Sequence, residues 1–284
     1  MKKILWLVGV VSTFLLFSCD DIKEDEFLTK VEGETTESTP ITKTQNSQAV
    51  LLEDYTGWLC VNCPAAAALV EEMQTNYGEQ LVAISVHTGS FAVPSSANNN
   101  LDLRTEYGNK WNTSFGFSEY PSGMVNRTYK DAGTSRIYQK DEWNNAVSSL
   151  LSNTSHLLNI NMGAEINNNK IIVSAKYVAQ NDINFPMYAN VVVIESGITG
   201  IQFNKDATYG AVPKIEDYVF NHVLRNNGLI DLQLSTSSLP SQKEITKNYS
   251  INIDEKWNIN NCKVVIFVTN ANTGEIIQVN EIDL

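Results

Sequence analysis

The feature that most constrains this chain is a pair of cysteines, Cys60 and Cys63, at a junction between two kinds of local sequence. The apolar run 49–53 before the pair predicts a strand, and the alanine-rich run 65–76 after it predicts a helix. Thiol–disulfide chemistry uses a C-x-x-C pair at such a turn, because a helix N-terminus favours a thiolate over a thiol. The spacing predicts that Cys60 lies at the exposed end of the helix and Cys63 lies one turn inside it.

The same spacing also fits a structural disulfide that only staples a turn. The preceding strand, the following helix and the neighbouring Trp58 favour the redox interpretation, in which Cys60 attacks and Cys63 resolves. A structural zinc site needs four ligands, and no second cysteine pair or Cys/His cluster accompanies this one. We therefore predict no metal and no cofactor.

The N-terminus has the pattern of an export signal. Lys2 and Lys3 precede an apolar run, 4–17, which is too short to span a bilayer comfortably. The run ends in Ser18-Cys19, which resembles a bacterial lipoprotein signal, so residues 1–18 are predicted to be removed and Cys19 lipidated. An ordinary cleaved signal with a free cysteine, or a retained transmembrane anchor, are the alternatives.

Residues 19–47 are predicted to form an acidic, Thr/Ser-rich and flexible tether. The acidic run 20–26 resembles the signal that sends some lipoproteins to the outer face of the outer membrane. We expect a membrane contact through the lipid on Cys19 and a location at the cell surface, with a periplasm-facing orientation as the alternative. The formal net charge of −12 and the lack of any Lys/Arg cluster argue against nucleic acid as a partner.

Two regions with different predicted secondary structure follow the tether. Residues 48–153 alternate strands and helices, with a strand at 81–86, helices at 101–111 and 141–151, and a strand at 123–127, which predicts an α/β layer.

Residues 154–284 have little helix signal and predict an all-β antiparallel sandwich. Its expected strands are 157–162, 171–177, 188–195, 249–253, 263–269 and 276–282.

A proline stands immediately before the strand at 123–127. The Tyr120–Pro121 bond can be cis, because X-Pro bonds adopt cis at modest cost, and the alternative is a trans proline in a plain turn.

The region 48–153 resembles a thioredoxin-fold domain, in which a cis-proline before a strand faces the C-x-x-C pair and binds extended substrate. The resemblance implies that the Tyr120–Pro121 bond is cis and that Trp58, Tyr120 and Pro121 bind substrate beside the cysteines. A sharper resemblance is to the lipoprotein family named for a twenty-eight-kilodalton outer membrane protein. It rests on the segments Val50–Gly57, Cys60–Pro64, Tyr120–Arg127 and Asn221–Arg225. The resemblance implies an outer-membrane lipoprotein with an α/β thioredoxin-like domain followed by the antiparallel sandwich, in a family described as surface antigens or possible adhesins.

Two functions remain open. In the first, the chain is an outer-membrane thiol–disulfide oxidoreductase or isomerase whose partners are thiols and disulfides of exported proteins. In the second, it is a non-enzymatic adhesin or binding module for a surface ligand, with a permanent Cys60–Cys63 disulfide.

The surroundings of the cysteines depart from thioredoxin itself. The tryptophan lies two positions before the first cysteine, and Val61-Asn62 separates the pair. Glu53 and Asp54 are the candidates for a buried acid near Cys63.

Other candidates have simpler interpretations. We expect structural roles for His87, His222 and Arg225, and we expect Cys262 to behave as a small buried hydrophobe.

Overall fold

Strands dominate the fold, which we describe from a computed structural model over residues 33–130, 133–153 and 155–284. The predicted signal peptide, Cys19 and the acidic run 20–26 lie outside these residues. Fourteen strands lie in the described part of the chain: β1 (Val50–Thr56), β2 (Leu81–His87), β3 (Ser122–Val125), β4 (Tyr138–Gln139), β5 (Leu158–Asn167), β6 (Lys170–Ala179), β7 (Met187–Glu195), β8 (Ile198–Phe203), β9 (Lys214–Phe220), β10 (Val223–Leu224), β11 (Leu229–Ser235), β12 (Glu244–Asn252), β13 (Cys262–Asn270) and β14 (Ile276–Asp283). The α-helices of the same residues are α1 (Cys63–Tyr77), α2 (Glu106–Phe115) and α3 (Trp143–Asn153).

The largest sheet combines strands from both predicted regions. Its order is β14-β13-β7-β10-β2-β1-β3-β4, and β11 pairs with β7 beside that path. The pairs β1–β2 and β2–β10 are parallel, whereas the others are antiparallel. The sheet therefore crosses the domain boundary that the sequence predicts at 153/154, and the division into two domains stays a prediction.

A second sheet, in the order β12-β6-β5, packs against part of the first. The apolar residues of β5, β6 and β12 share one buried cluster with those of β7, β11 and β13. This arrangement has the two layers of a sandwich, but one of the layers continues into the N-terminal half of the chain. A third sheet consists of β8 and β9 alone.

Part of the predicted flexible tether is ordered, which corrects that expectation. Glu34 and Lys43 form isolated bridges with Tyr249 of β12 and Met162 of β5. Between them, the Thr39 backbone N–H donates to the hydroxyl of Ser174 on β6 at 2.9 Å. The segment crosses the three-stranded sheet, and its backbone polar groups are satisfied there instead of by water.

The helix predicted at 101–111 begins later. Thr105 caps α2, because its hydroxyl accepts a hydrogen bond from the N–H of Gly108, and Gly116 ends the helix at a φ of 75°. The strands expected near 50, 81, 123, 160, 175, 190, 250, 265 and 280 are all present. The hairpin of β8 and β9 was not expected.

Candidate functional site

The cysteine turn, residues 57–63, begins where β1 ends. A Cβ atom on Gly57 would lie 2.5 Å from the backbone of Phe91, so the neighbouring loop packs directly on a glycine here. The N–H of Cys60 donates to the Gly57 carbonyl at 3.0 Å. Pro64 then follows Cys63 in the first turn of α1, where the missing N–H costs no helical hydrogen bond.

Cys60 and Cys63 form a disulfide bond. The two residues are only 2% and 3% exposed, respectively. The prediction that Cys60 is exposed at the end of the helix is therefore wrong. Between the two, the side chain of Val61 is exposed.

A hairpin far along the chain buries the turn. We define the covering hairpin as residues 198–220, which comprise β8, β9 and their loop. The N–H groups of Phe203 and Lys205 donate to the carbonyls of Trp58 and Val61 at 2.8 and 3.2 Å. These backbone contacts place the covering hairpin directly on the cysteine turn.

Side chains of the covering hairpin strengthen this contact. The Gln202 amide Nε2 donates to the Cys60 carbonyl at 2.9 Å. The rings of Phe203 and Trp58 lie 5.7 Å apart between centroids, within one buried cluster that includes Phe220. Sequence reasoning missed Gln202 and Phe203, because no local pattern shows that they meet a turn so far away in the chain.

Glu53 and Asp54, the two candidate acids, are both buried on β1 but point to opposite faces. Arg127 binds Glu53 through two hydrogen bonds, from Nε to Oε2 at 2.9 Å and from Nη2 to Oε1 at 2.7 Å. The guanidinium also lies over the rings of Trp111 and Phe267, at 4.7 and 5.1 Å from their centroids. Glu53 is thus neutralised by a buried ion pair and is not the candidate proton carrier.

The environment of Asp54 differs from that of Glu53. Its Oδ1 atom is buried and has no hydrogen-bond partner among the described residues. Burial raises the pKa of Asp54 from 3.8 to about 7, since a carboxylate loses its hydration there.

The orientation of Asp54 follows from strand alternation. Val50 and Leu52 of β1 share a core cluster with Ala66 and Val70 of α1. Because alternate side chains share a face, Asp54 lies on this helix-facing side, at the end of β1 nearest the cysteine turn.

Tyr120 and Pro121 immediately precede β3, which pairs with β1 on the side opposite to β2. Their peptide bond is cis, as predicted. The next residue, Ser122, pairs with Tyr55 near the end of β1. The Tyr120 ring contacts Phe91 at 5.6 Å between centroids, and the Phe91 carbonyl accepts from the N–H of Leu59 in the cysteine turn.

Trp58, the third residue expected to bind substrate, is 5% exposed. Its indole Nε1 donates to the Val93 carbonyl at 2.9 Å. A direct contact between Trp58 and a substrate therefore requires the covering hairpin to move, and the substrate-binding roles of Trp58, Tyr120 and Pro121 stay predictions.

The remaining candidates lie in packed surroundings. His87 is buried with its ring edge against Phe220, and burial lowers its pKa to about 3, so the ring is neutral. Arg225 forms a 3.2 Å ion pair with Glu195. His222 adopts a left-handed φ of 56°, and burial lowers its pKa.

Cys262 is a free, buried thiol, as predicted. Its Sγ contacts the Asn258 carbonyl at 3.4 Å, and burial together with the Glu195 carboxylate raises its pKa to about 12. Such a thiol is protonated at neutral pH and is a poor nucleophile.

Within residues 33–130, 133–153 and 155–284, no three His, Cys, Asp or Glu side chains group together as metal ligands. No helix in the same residues is long and apolar enough to cross a membrane.

The fold and site define a β-rich protein with a covered disulfide at a helix N-terminus. The chain belongs to the family described as "Outer membrane protein Omp28", which matches residues 108–284. The matched part contains Tyr120, Pro121 and the covering hairpin, whereas Asp54 and the two cysteines precede it.

Two solved structures share the fold at low sequence identity. HBP35 of Porphyromonas gingivalis is 16% identical with a TM-score of 0.55, over 85% of this chain and 77% of that chain. Protein AGR_C_4864 from Agrobacterium tumefaciens is 12% identical with a TM-score of 0.50, over 84% and 95% of the two chains. A domain of the outer membrane lipoprotein Omp28 from P. gingivalis is 17% identical with a TM-score of 0.28, over 46% and 90%. Among curated proteins, none matches the sequence.

Proposed function

We propose that this outer membrane family member exchanges disulfides with exported polypeptides through Cys60 and Cys63. The observation that carries the proposal is the buried carboxyl group of Asp54, whose Oδ1 has no hydrogen-bond partner among the described residues, on the face of β1 that packs against α1. A shift of its pKa from 3.8 to about 7 corresponds to a cost of about 4 kcal/mol for holding the ionised group in the folded protein. A purely structural disulfide needs no buried carboxyl group beside it, whereas a resolving thiol needs a nearby proton acceptor.

The exchange proceeds from the oxidised pair. A substrate thiolate attacks Cys60 Sγ, and the Cys60–Cys63 bond breaks as a mixed disulfide forms. The Cys63 thiolate takes the proton of Asp54. The second substrate thiol then gives its proton to water, and its thiolate attacks the substrate sulfur of the mixed disulfide and releases Cys60 as a thiolate.

Two electrons pass from the substrate dithiol to the protein, and the substrate gains a disulfide. Run in reverse, the same steps reduce a substrate disulfide, with Asp54 accepting the proton of Cys63. A carboxyl group with a pKa of about 7 is suited to both directions near neutral pH.

The region 48–153 is proposed to be a thioredoxin-like domain. Support comes from the order β1-α1-β2-α2-β3-β4-α3, with the cysteine turn between β1 and α1 and the cis Pro121 before β3. Strands β1, β2 and β3 are adjacent in the sheet, with β1 in the centre.

The membrane attachment is proposed to be a lipid on Cys19. The support is the sequence Leu16-Phe17-Ser18-Cys19 at the end of the apolar run, together with the family's outer membrane description. A Cys19→Ser variant should lose the lipid mass and leave the membrane fraction. Retention of the variant in that fraction would contradict a lipid anchor.

The decisive experiment compares Cys60→Ser with the wild type in the reduction of insulin disulfides by dithiothreitol. We expect Cys60→Ser to lose all acceleration, and Cys262→Ser, the matched control, to keep it. A wild type with no acceleration would contradict exchange. The reduction potential against glutathione gives a second criterion, since a value near or above about −230 mV fits an exchanger.

The second candidate function is a non-enzymatic surface binding module with a permanent disulfide. The observation that favours it is the burial of both cysteines beneath the covering hairpin. A reduction potential below about −300 mV would support this function instead.

A further inference from the structure

The covering hairpin is attached to the rest of the fold differently from the other strands. In the described residues, β8 and β9 pair only with each other, whereas the other named strands belong to the two larger sheets. The hairpin is flanked by two left-handed residues, Gly197 at a φ of 76° and His222 at 56°. No strand pairing therefore links it to the two larger sheets among the described residues, and its contacts with the fold are the packing of Phe203 and Phe220 and a few hydrogen bonds.

Two backbone hydrogen bonds join the covering hairpin to the cysteine turn. The N–H groups of Phe203 and Lys205, two positions apart, donate to the carbonyls of Trp58 and Val61. Alternate N–H groups of an extended chain point the same way, and an added peptide strand uses such groups to bind an exposed edge. Residues 202–205 therefore occupy the cysteine turn as an extended peptide does.

The covering hairpin lies where a substrate would approach the disulfide. The Gln202 side chain donates to the carbonyl of Cys60 itself, and the Phe203 ring lies against Trp58. A substrate sulfur must come within bonding distance of Cys60 Sγ, yet Cys60 is buried in this state. A substrate segment and the covering hairpin therefore cannot both occupy the cysteine turn.

We propose that residues 202–205 act as an internal substitute for substrate, and that exchange requires the covering hairpin to swing away. The incoming partner is an extended segment of an exported polypeptide, with a large apolar side chain where Phe203 now lies. Exposed Val61, Phe91 and Val93 give this segment further apolar surface. The inference rests on the proposed exchange function and adds its regulation and the form of its substrate.

Hydrogen exchange on the full-length wild-type protein provides a test without any substitution. The amides of Phe203 and Lys205 should exchange through local opening, faster than the amide of Val193 in the central strand β7. Exchange of all three amides only by global unfolding would overturn the inference, because the hairpin would then be a fixed part of the fold.

Substitution provides a second test. The double variant Gln202→Ala/Phe203→Ala removes one hydrogen bond and one aromatic contact, so we expect the disulfide to be reduced about tenfold faster by dilute dithiothreitol. Peptide-resolved alkylation of Cys60 measures this rate. Val219→Ala, at a half-exposed position of β9, is the matched control and should leave the rate unchanged. Gln202→Ala alone keeps the aromatic packing and should accelerate reduction by about threefold.

The outcomes separate the two proposals. Faster reduction without insulin turnover in any variant would support the gate and refute the exchange function. Full turnover in the wild type, with no change in reduction rate in the loosened variants, would support exchange and refute the gate. Thermal unfolding of each variant identifies a rate that rises only because the whole protein is destabilised.

Discussion

Two neighbouring residues of β1, Glu53 and Asp54, show two ways in which this protein buries a carboxyl group. On one face, Glu53 has a bidentate partner in Arg127, which is itself enclosed by aromatic rings. On the other face, the Oδ1 atom of Asp54 has no hydrogen-bond partner in the part of the chain that the structure describes, and burial raises the pKa of Asp54 to about 7.

The difference separates structure from chemistry. The Glu53–Arg127 pair joins β1 to the segment after β3, and through Phe267 it contacts the C-terminal half of the chain. Removing either member leaves an unpaired charge, so both are needed for stability. Asp54 reduces stability when it ionises, and a group retained at such a cost is a candidate for function.

The largest expected effect is on the paired face. Arg127→Met should lower the free energy of unfolding by about 3–5 kcal/mol, because Glu53 is left buried without a partner. The double variant Glu53→Met/Arg127→Met should recover much of this loss, since no charge remains. Urea denaturation at neutral pH measures both. A decrease in the free energy of unfolding of less than about 1 kcal/mol in Arg127→Met would contradict the conclusion that Glu53, unlike Asp54, depends on a buried partner.

The next effect is on the unpaired face and has the opposite sign. Asp54→Asn should raise the free energy of unfolding at pH 8 by up to about 4 kcal/mol, because the ionised group is removed. Below pH 3.8 the carboxyl group is protonated in both the folded and unfolded chains. As the pH rises to about 7, the unfolded chain ionises first, so the wild type loses stability across this window, and above it the penalty is constant.

Urea denaturation of the wild type and Asp54→Asn at pH 4 and pH 8 therefore checks the sign. The two proteins should differ little at pH 4 and most at pH 8. An equal difference at both pH values would contradict the assignment of the cost to ionisation.

A smaller effect links Asp54 to the covering hairpin. Burial and the Asp54 carboxylate raise the pKa of Tyr218 on β9, so these two residues lie near each other. Tyr218→Ala should therefore admit water beside Asp54 and lower the pKa of Asp54 by about 1. Carbon-13 NMR titration of the carboxyl group measures it, with Val219→Ala as the control. An unchanged pKa of Asp54 would show that the covering hairpin does not exclude water from this carboxyl group.

The smallest effect belongs to a paired charge that is not buried. Lys176 and Glu244 lie 3.2 Å apart on neighbouring strands, with both side chains largely exposed. Lys176→Ala should change stability by less than about 0.5 kcal/mol, since solvent screens the pair. Thermal unfolding measures this change. A loss as large as that of Arg127→Met would show that burial is not what distinguishes the Glu53 pair.

Much of the secondary structure could be predicted because it depends on local patterns. The apolar, β-branched runs of β2, β7 and β13 predict buried strands. The cis Tyr120–Pro121 bond could be predicted from the resemblance to a thioredoxin fold, since X-Pro chemistry permits a cis bond without requiring it; the cis Val212–Pro213 bond has no such signal.

The covering hairpin could not be predicted in this way. Strand β9, KIEDYVF, places three acidic or basic residues among its first four, and it pairs only with β8. From the local sequence alone Cys60 is expected to be exposed, whereas in the structure it is buried and its carbonyl accepts a hydrogen bond from Gln202 of β8.

The sequence by itself determined that a C-x-x-C pair follows a strand and opens a helix, and that two acids lie near the end of that strand. Only the tertiary structure decided which acid has a partner and whether the cysteines are accessible. The physical reason is distance along the chain: Arg127 lies 74 positions from Glu53, and Gln202 lies 142 positions from Cys60. Local patterns encode the elements, but long-range contacts decide which polar groups are neutralised and which are left available for chemistry.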